Sequence, residues 1–145
     1  MDKAFNNILV PYNGCPGSQK AFKKAISLAV LENSTITILT CMEDKSTFGL
    51  FKTKTNKKES EKEKELILKE HSRLASFAKD HGVSLKSKLV KTNMPSQAIL
   101  EFTEKNDIDL IIMGLKKLTR FEKIHFPSTI EDVSKHFRGA LLILN

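Results

Sequence analysis

The chain has no tryptophan and one tyrosine in 145 residues, so it is poorly supplied with the aromatic platforms on which single-stranded nucleic acid stacks. Its two cysteines, Cys15 and Cys41, are too few for a disulfide framework and have no zinc-site spacing. His71, His81, His125 and His136 are dispersed and make no metal-ligand pattern. No apolar run approaches the roughly 20 residues needed to cross a bilayer. Met1-Asp2-Lys3-Ala4-Phe5 carries no signal-peptide core. Catalytic constellations are also missing, because Ser18 and Ser128 have no base or acid of the right type near them in sequence. There is no internal repeat and no linker. These absences lead to the expectation of one cytoplasmic domain with no specific nucleic-acid or membrane partner.

What is present is alternation. Ile8 to Tyr12 is an apolar run, and Ala21, Phe22, Ala25, Ile26, Leu28 and Ala29 then recur at helical spacing between Pro16 and Leu31. Pro16 suits a first helical turn, where its missing N–H costs nothing. Thr35 to Cys41 is β-branched and reads as a strand. Residues 43–58 break the rhythm with a polar, Lys-rich stretch, expected to be a long mobile loop. Helical spacing resumes from about Glu59 to His81, with Ile67, Leu74, Phe77 and Ala78 facing inward and Gly82 as its stop. A strand over Val83 to Val90, a helix over Pro95 to Lys105 and a strand over Ile108 to Met113 follow. Asp107 and Asp109 mark the beginning of that fourth strand.

After Gly114 comes a second long loop, then a helix from about Ser128 to Phe137, where Ser128 and Glu131 fit a capping box. Ala140 to Leu144 is a last strand. The pattern β-α-β-α-β-α-β-α-β predicts an open parallel α/β sheet with helices on both faces. In such sheets ligands bind where the strand order reverses, at the carboxyl ends of the strands. With the first strand central, that point lies between strands one and four and brings Asn13 and Gly14 beside Gly114.

The net charge of +7 draws attention to anions. Many lysines, however, fall between Lys52 and Lys64, interleaved with Glu59, Glu61 and Glu63, which is the look of a solvated surface. Cys15 and Cys41 would lie near the same end of the sheet, and Cys15 precedes a helix N-terminus that can lower a thiol pKa. A redox pair is therefore one reading of them, and two small half-buried residues is the other.

Several segments, in their order and separation, together resemble the universal stress protein family over essentially the whole chain. They are Asn7-Ile8-Leu9-Val10-Pro11-Tyr12-Asn13-Gly14-Cys15-Pro16-Gly17-Ser18, then Ala21 and Ala25-Ile26-Ser27-Leu28-Ala29, Asp107-Ile108-Asp109-Leu110-Ile111-Ile112-Met113-Gly114, and the terminal His136-Phe137-Arg138-Gly139-Ala140-Leu141-Leu142-Ile143-Leu144. The resemblance implies a Rossmann-like five-stranded sheet of order 3-2-1-4-5, of the adenine nucleotide alpha hydrolase-like type. It also implies a homodimer formed through the last strand. Ala140, Leu141, Leu142, Ile143 and Leu144 form an apolar edge without protective charge, which invites pairing.

ATP-binding members of the family carry a loop G-x2-G-x9-G-[ST] after the fourth strand. Here the spacing is kept, with Gly114 first and Ser128 last, but Lys117 and Pro127 replace the second and third glycines. Glycines let backbone N–H groups close around phosphate oxygens, and Pro127 has no N–H to offer. Asn13 stands where binders typically have an Asp that contacts the nucleoside. Against these losses, Lys116, Lys117, Arg120 and Lys123 make the loop basic, and cations can replace lost donors near a helix N-terminus.

The expectation is a non-catalytic regulatory or ligand-binding protein of the stress response, with a degraded ATP loop. The alternative is a protein that binds ATP or AMP with weak or no hydrolysis, using Lys116, Lys117 and Arg120. A third class is an interaction protein that offers the Lys52–Lys64 stretch to an acidic partner. The cleft is expected to be walled by Pro11, Tyr12, Asn13, Gly14 and Cys41 on one side. Met113, Gly114, Lys117, Pro127, Ser128 and Thr129 would wall the other. Asn13 would meet a polar ligand group, Gly114 would permit close backbone approach, the loop cations would attract an anion, and Ser128 and Thr129 would hydrogen-bond it. No metal is expected.

Overall fold

The computed structural model describes residues 3–44, 54–115 and 128–145, with only the backbone given for 54–56. Five strands alternate with four helices: β1 (Asn7–Pro11), α1 (Pro16–Glu32), β2 (Thr35–Met42), α2 (Lys54–Asp80), β3 (Ser84–Lys91), α3 (Pro95–Lys105), β4 (Leu110–Gly114), α4 (Ser128–His136) and β5 (Ala140–Leu144). All neighbouring strands are parallel, in the order β3-β2-β1-β4-β5.

Period-two alternation along β1 and β4 sends side chains to opposite faces. Ile8, Val10 and Tyr12 join Ile36, Ile38, Leu110 and Ile112 beneath α1 and α2, which contribute Phe22, Ala25, Leu74 and Ala78. Leu9, Leu39, Ile111 and Met113 face α3 and α4, which contribute Ile99, Ile130 and Val133. Ile8, Leu9, Ile36, Ile38 and Ile111 are fully buried, at roughly 1.5–3 kcal/mol each relative to exposure. The fold is therefore the two-faced α/β sheet that the sequence pattern predicts. Among the described residues no helix is long and apolar enough to cross a membrane.

Asp109 secures the sheet's amino end. Its carboxylate accepts the Asn6 N–H at 2.8 Å and the Asn7 N–H at 3.0 Å, so the start of β4 clamps the start of β1.

Two details of α2 depart from the sequence pattern. The helix begins at Lys54, so residues 54–58 are helical where a loop to 58 was expected. The rest of that expected loop, apart from Glu43 and Asp44, lies outside the described residues. Phe77 is also 36% exposed rather than inward, with its ring tilted against Phe22 and close to His81. The inward position belongs instead to His71, which is buried between Ile67 and Leu74 on the same helical stripe.

One turn of α2 is tied to β1 through charge. The Tyr12 hydroxyl donates to Glu70 Oε1 at 2.7 Å, and Arg73 Nε donates to Glu70 Oε2 at 2.9 Å. The Arg73 guanidinium is the main cause holding the Glu70 carboxyl down to about 2, against burial that pushes it up and with the Tyr12 hydroxyl helping. Burial, then Glu70, pushes Tyr12 up to about 12. A depressed carboxylate contributes stability above its unfolded value of 4.5 and loses it as pH falls toward about 2. Glu70→Gln is therefore expected to flatten the acid limb of the stability curve across that window, measured as urea midpoints against pH. The loss at neutral pH should be no more than about 1 kcal/mol, because Arg73 stands largely in solvent.

Candidate functional site

The order reversal places the carboxyl ends of β1 and β4 side by side, and a cleft of about 320 Å³ opens there toward α3 and α4. Its walls are largely apolar: Pro11, Leu39 and Met113 from the strands, Pro95 and Ile99 from α3, and Ile130 from α4. Asn13, Cys15, Ser18, Cys41 and Thr129 supply its polar groups, and Gly114 sits at its base.

The turn between β1 and α1 is built by Asn13. Its Oδ1 accepts the Cys15 N–H at 3.0 Å and the Ser18 hydroxyl at 3.0 Å, which makes an Asx turn. With both donors on the oxygen, the amide nitrogen faces away from the turn, and Asn13 itself is exposed. Cys15 is the N-cap of α1, and its Sγ accepts the Ser18 N–H at 3.4 Å. Burial pushes this thiol up, but hydrogen bonds from Ser18, Gly17 and Asn13 outweigh burial and hold it below its ordinary value. Cys41 has no such donors, and burial alone pushes it up. The two cysteines are thus chemically unlike, and both are free thiols.

Gly114 permits a close backbone approach, and the structure identifies what approaches. A Cβ built on Gly114 would lie 1.9 Å from the Gly17 carbonyl oxygen, and one built on Gly17 would lie 2.9 Å from the Leu115 oxygen. The first turn of α1 therefore sits backbone to backbone on the end of β4, and this contact sets one boundary of the cleft.

Behind the cleft runs a buried polar chain. The Thr40 hydroxyl donates to the Tyr12 carbonyl at 2.7 Å and lies 2.7 Å from His71 Nε2. Because the hydroxyl spends its proton on the carbonyl, His71 Nε2 carries the proton that joins the pair. Burial pushes the His71 pKa below its ordinary value, with Glu70 opposing. This chain fixes Tyr12, the residue that delivers Asn13 to the cleft.

Of the residues expected at the site, Pro11, Tyr12, Asn13, Cys41, Met113, Gly114 and Thr129 line this one cleft. Tyr12 does so beside its own strand, while its hydroxyl is committed to Glu70. Gly14 instead lines a neighbouring cleft of about 310 Å³, shared with Thr40, Glu70 and His71 beneath α2. Ser128 is exposed as the first residue of α4 and is not in the lining. Lys116, Lys117, Arg120, Lys123 and Pro127 lie outside the described residues. The pattern reading missed Cys15, Ser18, Leu39, Pro95, Ile99 and Ile130. The helical stripe on α3 already singled out Ile99, but a stripe marks what is buried and not where two helices leave a gap. Among the described residues no group of three or more His, Cys, Asp or Glu is arranged to hold a metal ion.

Comparison with known proteins follows the same outline. Residues 4–145 match the universal stress protein family. A universal stress protein of Methanocaldococcus jannaschii is 26% identical over 143 residues, which is 99% of this chain and 84% of that protein. Among solved structures, UspA from Lactobacillus plantarum superposes with a TM-score of 0.81 at 19% identity, covering 99% of this chain and 100% of that one. A universal stress protein from Archaeoglobus fulgidus, solved in complex with dAMP, superposes with a TM-score of 0.67 at 16% identity, covering 97% and 98%. With the family matched along nearly its whole length, this chain belongs to the universal stress protein family.

Proposed function

We propose that the protein is a non-catalytic, ligand-binding module of the stress response, and that its switch-point cleft takes a nucleoside monophosphate such as AMP. The observation that carries this reading is the lining itself. A cleft of about 320 Å³ is at the small end of ligand sites. Apolar walls from Pro11, Leu39, Ile99, Met113 and Ile130 suit the faces of a heteroaromatic base. The Asn13 amide and the Thr129 hydroxyl are the groups placed to hydrogen-bond it. The described lining offers amide, hydroxyl and thiol groups, which hold a ligand, in place of the carboxylate or imidazole that proton transfer needs. The dAMP complex of the Archaeoglobus fulgidus relative supports the ligand class. Lys116, Lys117 and Arg120 are assigned the phosphate, in place of the glycines that the loop has lost.

Calorimetry and thermal melting with AMP, dAMP, ADP and ATP test this. AMP is expected to bind and to raise Tm by several degrees, since a ligand at 100 times its Kd stabilises by about 2.7 kcal/mol. No steady phosphate release from ATP is expected. Replacing Lys116, Lys117 and Arg120 together by Ala should weaken AMP but leave adenosine unchanged. No heat and no shift at millimolar nucleotide would overturn the reading, as would sustained ATP turnover.

The same reading includes a homodimer through β5. The two edges of the sheet are treated differently: β3 carries Lys86, Lys88 and Lys91, whereas Leu141 to Leu144 of β5 are apolar and only half covered. Lysines blunt an edge, and an uncharged apolar edge pairs. Light scattering at micromolar concentration is expected to give twice the 16.4 kDa chain mass, and Leu142→Lys is expected to give the monomer.

A further inference from the structure

At the amino end of the sheet, away from the ligand cleft, lies a larger groove of about 470 Å³ between α3 and the β2–β3 side of the sheet. Its origin is topological. The crossover helix α3 leaves the edge strand β3 and packs over β2 on its way to β4, so among the described residues this face of β3 is covered at Val90 but left exposed at Lys86 and Lys88. The residues there alternate as the pleat requires, with Lys86 and Lys88 on this face about 6.6 Å apart along the strand. Lys105, at the last turn of α3, stands on the opposite wall. Val90, Phe102 and Ile108 supply apolar surface between them. Glu101 is the one carboxylate in the lining. Among the described residues none of these lysines is in an ion pair.

The other lysine-rich surface differs in kind. Along α2 from Lys57 to Glu65, Lys57, Lys58, Lys62 and Lys64 are matched by Glu59, Glu61, Glu63 and Glu65, so the charge of that stretch cancels over a few ångströms. The groove keeps its positive excess.

We propose that this groove is a docking site for an acidic, extended peptide segment of a partner protein. Carboxylates of the segment would meet Lys86, Lys88 and Lys105, and an apolar side chain between them would cover Val90 and Phe102. Two considerations select this occupant. The cations are spread over two walls, which matches spaced carboxylates better than one dense phosphate. Second, lysines on an edge strand repel a second copy of the same strand and attract an acidic one, so the device that prevents self-pairing also selects the partner. The proposal is independent of what the ligand cleft binds.

The test uses the full chain and a fluorescein-labelled ten-residue peptide of alternating Glu and Val, read by anisotropy at low and physiological salt. The Lys/Val counterpart serves as the peptide control. Saturable binding is expected for the Glu peptide alone, weakening as salt rises. Lys86→Glu/Lys88→Glu should weaken it by roughly tenfold or more, while Lys86→Arg/Lys88→Arg retains it. Lys23→Glu/Lys24→Glu changes net charge equally on exposed positions of α1, across the sheet, and should leave binding unchanged. Unaltered melting temperatures keep folding out of the comparison. Equal loss in the Lys23/Lys24 variant, equal binding of the Lys peptide, or displacement by millimolar AMP or pyrophosphate would each overturn the proposal.

Discussion

Gly114→Ala is expected to destabilise the protein by about 3 kcal/mol or more and to lower Tm by roughly 10 °C. The added Cβ would fall 1.9 Å from the Gly17 carbonyl oxygen and 2.6 Å from the Gly17 Cα. No rotamer relieves a clash between two backbones, so α1 must move off the end of β4. That movement parts Asn13 and Cys15 from Met113 and Gly114, which face each other across the cleft. Loss of the AMP-induced thermal shift should accompany the loss of stability. Gly17→Ala is expected to be milder, because its Cβ meets the Leu115 oxygen at 2.9 Å and a small displacement relieves it. Melting curves of the two variants check both size and order. A Gly114→Ala protein that melts with the wild type would mean that α1 does not rest on β4 in this way.

Thr40→Val carries the second large effect. The substitution is almost isosteric but deletes the hydroxyl that joins His71 Nε2 to the Tyr12 carbonyl. Thr40 and His71 are 5% and 4% exposed, so water reaches the stranded groups only from the cleft under α2. Two stranded polar groups cost about 1–3 kcal/mol each, and a total loss of about 2–6 kcal/mol is expected from urea unfolding. Removing the imidazole as well, in Thr40→Val/His71→Leu, should recover part of that loss, because only the Tyr12 carbonyl then lacks its partner. A double variant less stable than the sum of the single ones would contradict the buried chain. Because the chain holds Tyr12, Thr40→Val should also weaken AMP through the neighbouring Asn13.

Sequence patterning made the sheet legible because its strands are short, apolar and bounded by turn residues. The strand order came with the family resemblance rather than from periodicity. The start of α2 was illegible for a definite reason: Lys54 to Lys58 contain no apolar residue to mark a face, so only backbone continuity shows the helix there. His71 was legible in principle, four residues after Ile67 and three before Leu74, yet a histidine on an apolar stripe does not announce its hydrogen-bond partner. Gly114 was recognised as a point of close approach, but Gly17, which makes the approach, lies 97 positions earlier and only the folded chain brings them together. The strand-end residues of the cleft were readable from Asn13 and Gly114. The walls contributed by α3 and α4 were not, because the gap between two helices has no signature in the spacing of either.

The claim that the reversal of strand order makes the ligand site is tested most directly by titrating isotope-labelled protein with AMP and following backbone amide resonances. Asn13, Cys15, Met113, Gly114, Thr129 and Ile130 should shift together and saturate with one affinity, while Lys86, Lys88 and Lys105 stay in place. Saturating shifts centred away from the β1 and β4 carboxyl ends, or no saturable shifts at all, would contradict it.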